Sequence, residues 1–163
     1  MASVLTAVSI ARRQAQIDAP VQTIWELVGD PNRYPEWWPR IMETECEGIE
    51  EGCTYRSVTK GPVGVEDETI LIERLQDCRE VRIRCLDTGS YMCWQLMGAR
   101  EGTFVDVEFG MEPAHLQHKV FDLLAGKRFY RAWLEQSVAA LRTAAERPPG
   151  GRVPSPGETN PSH

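Results

Sequence analysis

Ile10 to Asp18 alternates apolar and polar side chains with a period of two, which predicts a strand. Ala19-Pro20 closes that strand and places a proline at the start of a helix, in which Val21, Ile24, Trp25 and Val28 share one face. Asp30-Pro31 restarts the chain as a second short helix or turn around Tyr34, Trp37 and Trp38. From Ile41 to Met111 the period returns to two, broken by turn signals at Gly48–Gly52, Gly61–Gly64, Gln76-Asp77, Thr88-Gly89 and Gly98–Gly102. These breaks divide the stretch into six strands of a meander. After Pro113 the spacing becomes helical, and Leu116, Val120, Leu124, Phe129, Trp133, Val138 and Leu141 mark one face of a long helix reaching Glu146, with Gly126 as a point of bending or interruption.

Turn lengths predict which strand residues share a face. A two-residue turn at Thr88-Gly89 pairs Cys85 with Met92, Ile83 with Trp94 and Val81 with Leu96, all apolar. A turn at Gln76-Asp77 pairs Ile72 with Val81, Ile70 with Ile83 and Glu68 with Cys85. The last hairpin pairs Leu96 with Val105 and Trp94 with Val107, leaving Asp106 and Glu108 on the opposite, solvated face. The expected fold is α+β: a seven-stranded curved antiparallel sheet, two short helices after the first strand, and one long C-terminal helix. A helix about 10 to 12 Å across is too narrow to cover such a sheet, so part of the apolar face must collapse on itself or line a hollow. Apolar hollows with few polar groups are where small ligands bind.

Composition narrows the class of partner. The 163 residues carry a net charge of −6, which disfavours nucleic acid and anionic membranes as main partners. No apolar run is long enough to span a bilayer, and Met1 to Ile10 lacks the basic start of a secretory signal. The five cysteines form no CxxC, which fits reduced thiols in a cytoplasm better than a zinc site; Cys46 and Cys53 flank a turn without being expected to cross-link. Arg147–His163 holds five of the eleven prolines and predicts a disordered tail, 147–163, after a folded domain, 1–146.

The element order resembles the START-like helix-grip superfamily (SRPBCC). The residues that carry the likeness are Ile17-Asp18-Ala19-Pro20, Ile24-Trp25-Glu26-Leu27-Val28, Asp30-Pro31, Tyr34-Pro35-Glu36-Trp37-Trp38-Pro39 and Phe109-Gly110-Met111-Glu112-Pro113. Within that superfamily the chain looks most like the polyketide cyclase/dehydrase branch, over roughly Ile10 to Glu146. The resemblance implies a sheet gripping the long helix around a deep hydrophobic cavity. Members bind or transform lipids, sterols, polyketides or similar molecules, and some act as co-chaperones, so the likeness implies a fold more than an activity. Aromatase/cyclase relatives place an arginine inside the cavity on the strand matching Val65–Leu75. The inward positions late in that strand are here Ile70 and Ile72, which speaks against that mechanism.

The expected ligand-binding residues are Ile70, Ile72, Ile83, Met92, Trp94, Leu96, Val107 and Phe109 on the sheet and Phe129 and Trp133 on the helix, with Arg13, Tyr55 or Gln95 at a polar end. Glu66 and Glu68 share the inward face of their strand about 7 Å apart and are the candidate catalytic carboxylates, since burial and repulsion would raise their pKa values toward a general acid's. The preferred reading, however, is that both are solvated groups at the cavity mouth, since an unpaired buried carboxylate is costly. Arg13, if inward, is their one obvious partner. Trp25, Trp37 and Trp38 read as residues fixing the short helices. His115 and His118 share a helix face, but no third metal ligand is evident, and neither metal nor cofactor is expected. The favoured reading is a module, monomer or homodimer, that binds a small hydrophobic or amphipathic molecule. Against it stand a cyclase/dehydratase-type enzyme without metal and a co-chaperone-like protein-binding module.

Overall fold

A computed structural model describes residues 8–147, and within them the side chains of 9–112 and 126–147. The elements run β1 (Val8–Ile17), α1 (Val21–Val28), a single 3-10 turn (Pro31–Arg33), α2 (Tyr34–Trp37), β2 (Ile41–Glu45), β3 (Thr54–Lys60), β4 (Val65–Gln76), β5 (Glu80–Cys85), β6 (Ser90–Ala99), β7 (Gly102–Met111) and α3 (Pro113–Glu146). The sheet has seven strands in the order β1-β7-β6-β5-β4-β3-β2, every neighbouring pair antiparallel. This is the expected α+β helix-grip arrangement. The tail from 148 onward and the side chains of His115 and His118 lie outside the described residues.

Register follows the sequence reading in the last hairpin, where Trp94 faces Val107 and Leu96 faces Val105. Two other hairpins differ. Four residues, Leu86–Gly89, join β5 to β6, so Ile83 faces Met92 and Val81 faces Trp94. The longer loop is held by the Leu86 amide donating to the Thr69 carbonyl at 3.0 Å and by Asp87 accepting from the Thr69 amide at 3.0 Å. Between β4 and β5 the turn is Asp77–Arg79, with Cys78 at φ 56°, and a bulge at Glu73 takes back one residue of the shift. Ile72 therefore faces Ile83, and Ile70 faces Cys85. Both corrections amount to two residues beside the core, and an even slip keeps every side chain on its predicted face.

Packing on the concave face divides the sheet. Ile17, Trp94, Leu96, Val105 and Val107 are buried with Leu134, Val138, Leu141 and Ala145 of α3. The second half of α3 thus closes the core over β1 and β7. Helix α3 continues unbroken through Gly126, where a Cβ would meet the Tyr130 ring at 3.1 Å, so the glycine makes room for a ring rather than a kink.

The short helices are tied by aromatic hydroxyl and indole groups. Tyr34 Oη donates to the Val28 carbonyl at 2.7 Å and Trp37 Nε1 to the Leu27 carbonyl at 3.0 Å, satisfying backbone acceptors left open at the end of α1. Trp37 plays the role expected of it. Trp38 packs on Tyr34 and Trp37 at 4.9 and 5.3 Å, but it also leaves α2 in an extended conformation and reaches α3.

Candidate functional site

Where α3 leaves the sheet uncovered, a cavity of about 360 Å³ opens. Its floor is Ile70 of β4, Ile83 of β5, Met92 of β6 and Phe109 of β7; its roof is Gly126, Phe129, Tyr130 and Trp133 of α3. Trp38 forms a side wall, stacked on Trp133 with ring centroids 5.9 Å apart. Three hydrogen bonds fix that wall. Trp38 Nε1 donates to Ser137 Oγ at 2.8 Å, Ser137 Oγ to the Trp133 carbonyl at 2.6 Å, and Trp133 Nε1 to the Pro39 carbonyl at 2.7 Å. Phe109 and Tyr130 stack at 4.4 Å between floor and roof.

One wall is polar. Tyr55, Ser57 and Thr59 alternate inward along β3, and Glu66 and Glu68 along β4, with Ser57 opposite Glu68 and Thr59 opposite Glu66. The Ser57 and Thr59 hydroxyls lie 3.2 Å apart. Glu66 is exposed beside the Gly61–Gly64 loop, and Glu68 lies half-buried one step deeper. Burial raises the Glu68 carboxyl above its ordinary value; Glu66 and Asp87 push it further, while the Cys85 thiol opposes. Burial also raises Tyr55, Cys85 and Tyr130, with Glu68 adding to each. At the mouth, Arg40 adopts φ 73° and holds its guanidinium 4.5 Å from the centre of the Phe129 ring. A non-glycine residue kept in that region marks a place where surrounding structure outweighs local strain.

Of the residues expected to bind a ligand, Tyr55, Ile70, Ile83, Met92, Phe109, Phe129 and Trp133 line the cavity, as do Glu66 and Glu68. Ile72, Trp94, Leu96 and Val107 do not; they are core beneath the floor or under α3. Gln95 is exposed opposite Asp106 on the outer face. Arg13 is exposed in a separate groove with Arg131 and Glu135, so it partners neither glutamate. Sequence reading missed Trp38, Ser57, Gly126 and Tyr130. Ser57 was recoverable from its alternation with Tyr55, and Tyr130 from its three-residue spacing to Trp133. All five cysteines are free, and no group of three or more His, Cys, Asp or Glu side chains gathers as metal ligands among the described residues.

Residues 10–146 match the family model described as polyketide cyclase / dehydrase and lipid transport. The chain belongs to that family. No curated protein matches it. Among solved structures, a protein from Arthrobacter aurescens aligns with TM-score 0.65 at 12% identity, over 90% of this chain and 94% of that one. A protein from Nitrosomonas europaea aligns with TM-score 0.64 at 16% identity, over 82% and 92%. The di-domain ARO/CYC BexL from the BE-7585A biosynthetic pathway aligns with TM-score 0.64 at 15% identity, over 90% of this chain and 52% of that one, so this chain spans about half of it. At these identities the likeness is one of fold. Within the polyketide cyclase/dehydrase fold, this chain lines one side of its cavity with Glu66, Glu68, Ser57 and Tyr55.

Glu68 gives a pH signature for this wall. Its carboxyl is raised in the folded protein, so its neutral form is the one the fold favours. The associated stability is fully present below the ordinary glutamate value of 4.5 and is lost as pH rises through the raised value. Glu68→Gln removes that loss. Differential scanning calorimetry should therefore show the variant melting about 2 °C above the parent at pH 7, with the gap shrinking toward pH 4. Absence of a pH-dependent gap would place Glu68 in solvent, and a gap of the opposite sign would give its carboxylate a stabilising partner.

Proposed function

We propose that the protein binds a small amphipathic molecule in this cavity, the apolar body between Ile83, Met92, Phe109, Tyr130 and Trp133 and the polar end at Glu66, Glu68 and Tyr55. The observation that carries the reading is a cavity of about 360 Å³ with aromatic and aliphatic sides and a polar wall on β3 and β4. Each apolar group removed from water there contributes about 25 cal/mol per Å². No helix is long and apolar enough to cross a membrane. Five free cysteines support a reducing, cytoplasmic setting.

Nile red fluorescence provides a direct test. The parent should bind the dye and exclude it from water, whereas Ser57→Phe, which fills the void from a position only 3% exposed, should weaken binding about tenfold or more without lowering the melting temperature. Equal binding by both proteins would move the ligand elsewhere. Native mass spectrometry of protein purified from its own host then identifies what co-purifies.

A second reading, a cyclase/dehydratase-type enzyme, is favoured by one observation: Glu68 sits inside the cavity with its carboxyl raised by burial. Protonated Glu68 would deliver a proton to a departing hydroxyl while Glu66 takes one from the adjacent carbon, so that water leaves and a double bond forms. On that reading Glu68→Gln stops turnover and spares dye binding. The name of BexL as an ARO/CYC supports it; the absence of an inward arginine on β4 weighs against a close copy of such chemistry. A co-chaperone role would fit a filled interior better than this one.

A further inference from the structure

Five carboxylates on the strands of this sheet are paired with arginines. On the outer face Asp106 is held by Arg12, Asp67 by Arg56, Glu73 by Arg82 and Arg84, and Glu80 by Arg74. Glu66 and Glu68 flank Asp67 on the same strand but point to the cavity, and no arginine or lysine among the described residues forms an ion pair with either. Lys60 borders the cavity, yet strand alternation puts its side chain with Arg56 and Val58 on the outer face. The Arg40 guanidinium is engaged by the Phe129 ring and by the Lys60 carbonyl at 3.4 Å. Two carboxylates side by side at the edge of an apolar space favour either a proton held between them or a cation that joins both.

A second feature of the same wall is independent of charge. Tyr55 is only 4% exposed, lines the cavity, and its hydroxyl has no hydrogen-bond partner among the described residues. A hydroxyl that opens onto the cavity without a protein partner is available to a ligand atom. The roof adds the faces of Trp133 and Tyr130, whose negative quadrupoles attract cations within about 6 Å.

We propose that the ligand is an organic cation, an amphipathic amine whose ammonium group sits between Glu66 and Glu68 and whose apolar body lies against the Trp38, Tyr130 and Trp133 rings. This rests on the cavity being the binding site and adds the charge of its occupant. An ammonium group relieves both carboxylates at once and donates up to three hydrogen bonds, which the acceptor-rich wall of Glu66, Glu68 and Tyr55 can take. A carboxylate-bearing ligand would meet the opposite field on this wall, with Arg40 and Lys60 only at the cavity border.

Three probes with the same ten-carbon chain separate charge from greasiness: decylamine, decanol and decanoate, each competing with Nile red at pH 8, where a primary amine with pKa about 10.4 is protonated. Decylamine should displace the dye at about tenfold lower concentration than decanol, and decanoate should be the weakest. Glu66→Gln/Glu68→Gln should erase the amine's advantage and leave decanol unchanged. Asp67→Asn, which removes the neighbouring charge on the outer face, should preserve it. If decylamine and decanol compete equally, if decanoate prevails, or if the preference survives the double substitution, the proposal falls while the cavity reading stands. Dye that none of the three displaces ends both.

Discussion

Gly102→Ala is expected to lower the unfolding free energy by about 3 kcal/mol, well beyond the cost of about 1–2 kcal/mol expected for the same change at Gly52. Both glycines have positive φ, +94° and +87°, so both substitutions carry the penalty of about 1–2 kcal/mol for a left-handed alanine. At Gly52 nothing lies within 4 Å of the added Cβ. At Gly102 it would sit 2.2 Å from the Ile17 carbonyl oxygen and 3.2 Å from Asp18 Cα, both backbone atoms. Gly102 closes the β6–β7 turn against the end of β1, and next to it the Thr103 hydroxyl donates to the Ala19 carbonyl at 2.8 Å. The added methyl must therefore push apart the point where β1 gives way to α1. Urea unfolding of the two variants in parallel reads the difference, and equal losses would mean that the turn yields without disturbing β1.

Trp94→Ala should cost about 3–5 kcal/mol, and Trp94→Phe less than half of that. The Trp94 side chain is fully buried beneath the cavity floor, edge-on to Trp38 at 5.4 Å and to Trp37 at 5.8 Å. Truncation to alanine removes a whole indole from contact with both rings and leaves a void that the hydrogen-bonded Trp38 cannot fill. Phenylalanine keeps most of the volume. It also loses no hydrogen bond, because Trp94 Nε1 is buried without an acceptor and has only the neighbouring ring faces to donate to. Denaturant midpoints for the two variants test this; a phenylalanine as damaging as alanine would reveal an acceptor for Nε1.

Faces along the sheet were legible in the sequence, and so was the existence of a space under the helix. Ile70, Ile83, Met92 and Phe109 alternate cleanly, and alternation survives a two-residue slip. The slip itself was not legible. It depends on the Glu73 bulge, where Arg82 Nε and Arg84 Nε each donate to a Glu73 carboxylate oxygen at 2.7 Å, and on Asp87 reaching back to the Thr69 amide. These are contacts between strands, and no local pattern announces them. The error over Trp94, Leu96 and Val107 has another origin. All three face inward as read, but the sequence does not say which half of the sheet α3 covers, and these residues lie under the covered half or below the floor. Arg13 fails for the same reason: it is directly opposite Val107, on the β1 side. Trp38 was hidden by its neighbour, since only the extended backbone after α2 separates its direction from that of Trp37.

Asn32 settles what happens at the outer border of β2. Its side-chain amide donates to the Cys46 carbonyl at 2.9 Å and accepts from the Cys46 amide at 3.0 Å, as a neighbouring strand residue would. One residue of a short helical turn thus occupies backbone groups that would otherwise template the addition of a foreign chain. The remaining length of β2 offers Glu43 and Glu45, both exposed, to any newcomer. A sheet bent enough to hold a guest on its concave side is by this device discouraged from growing sideways into a fibre.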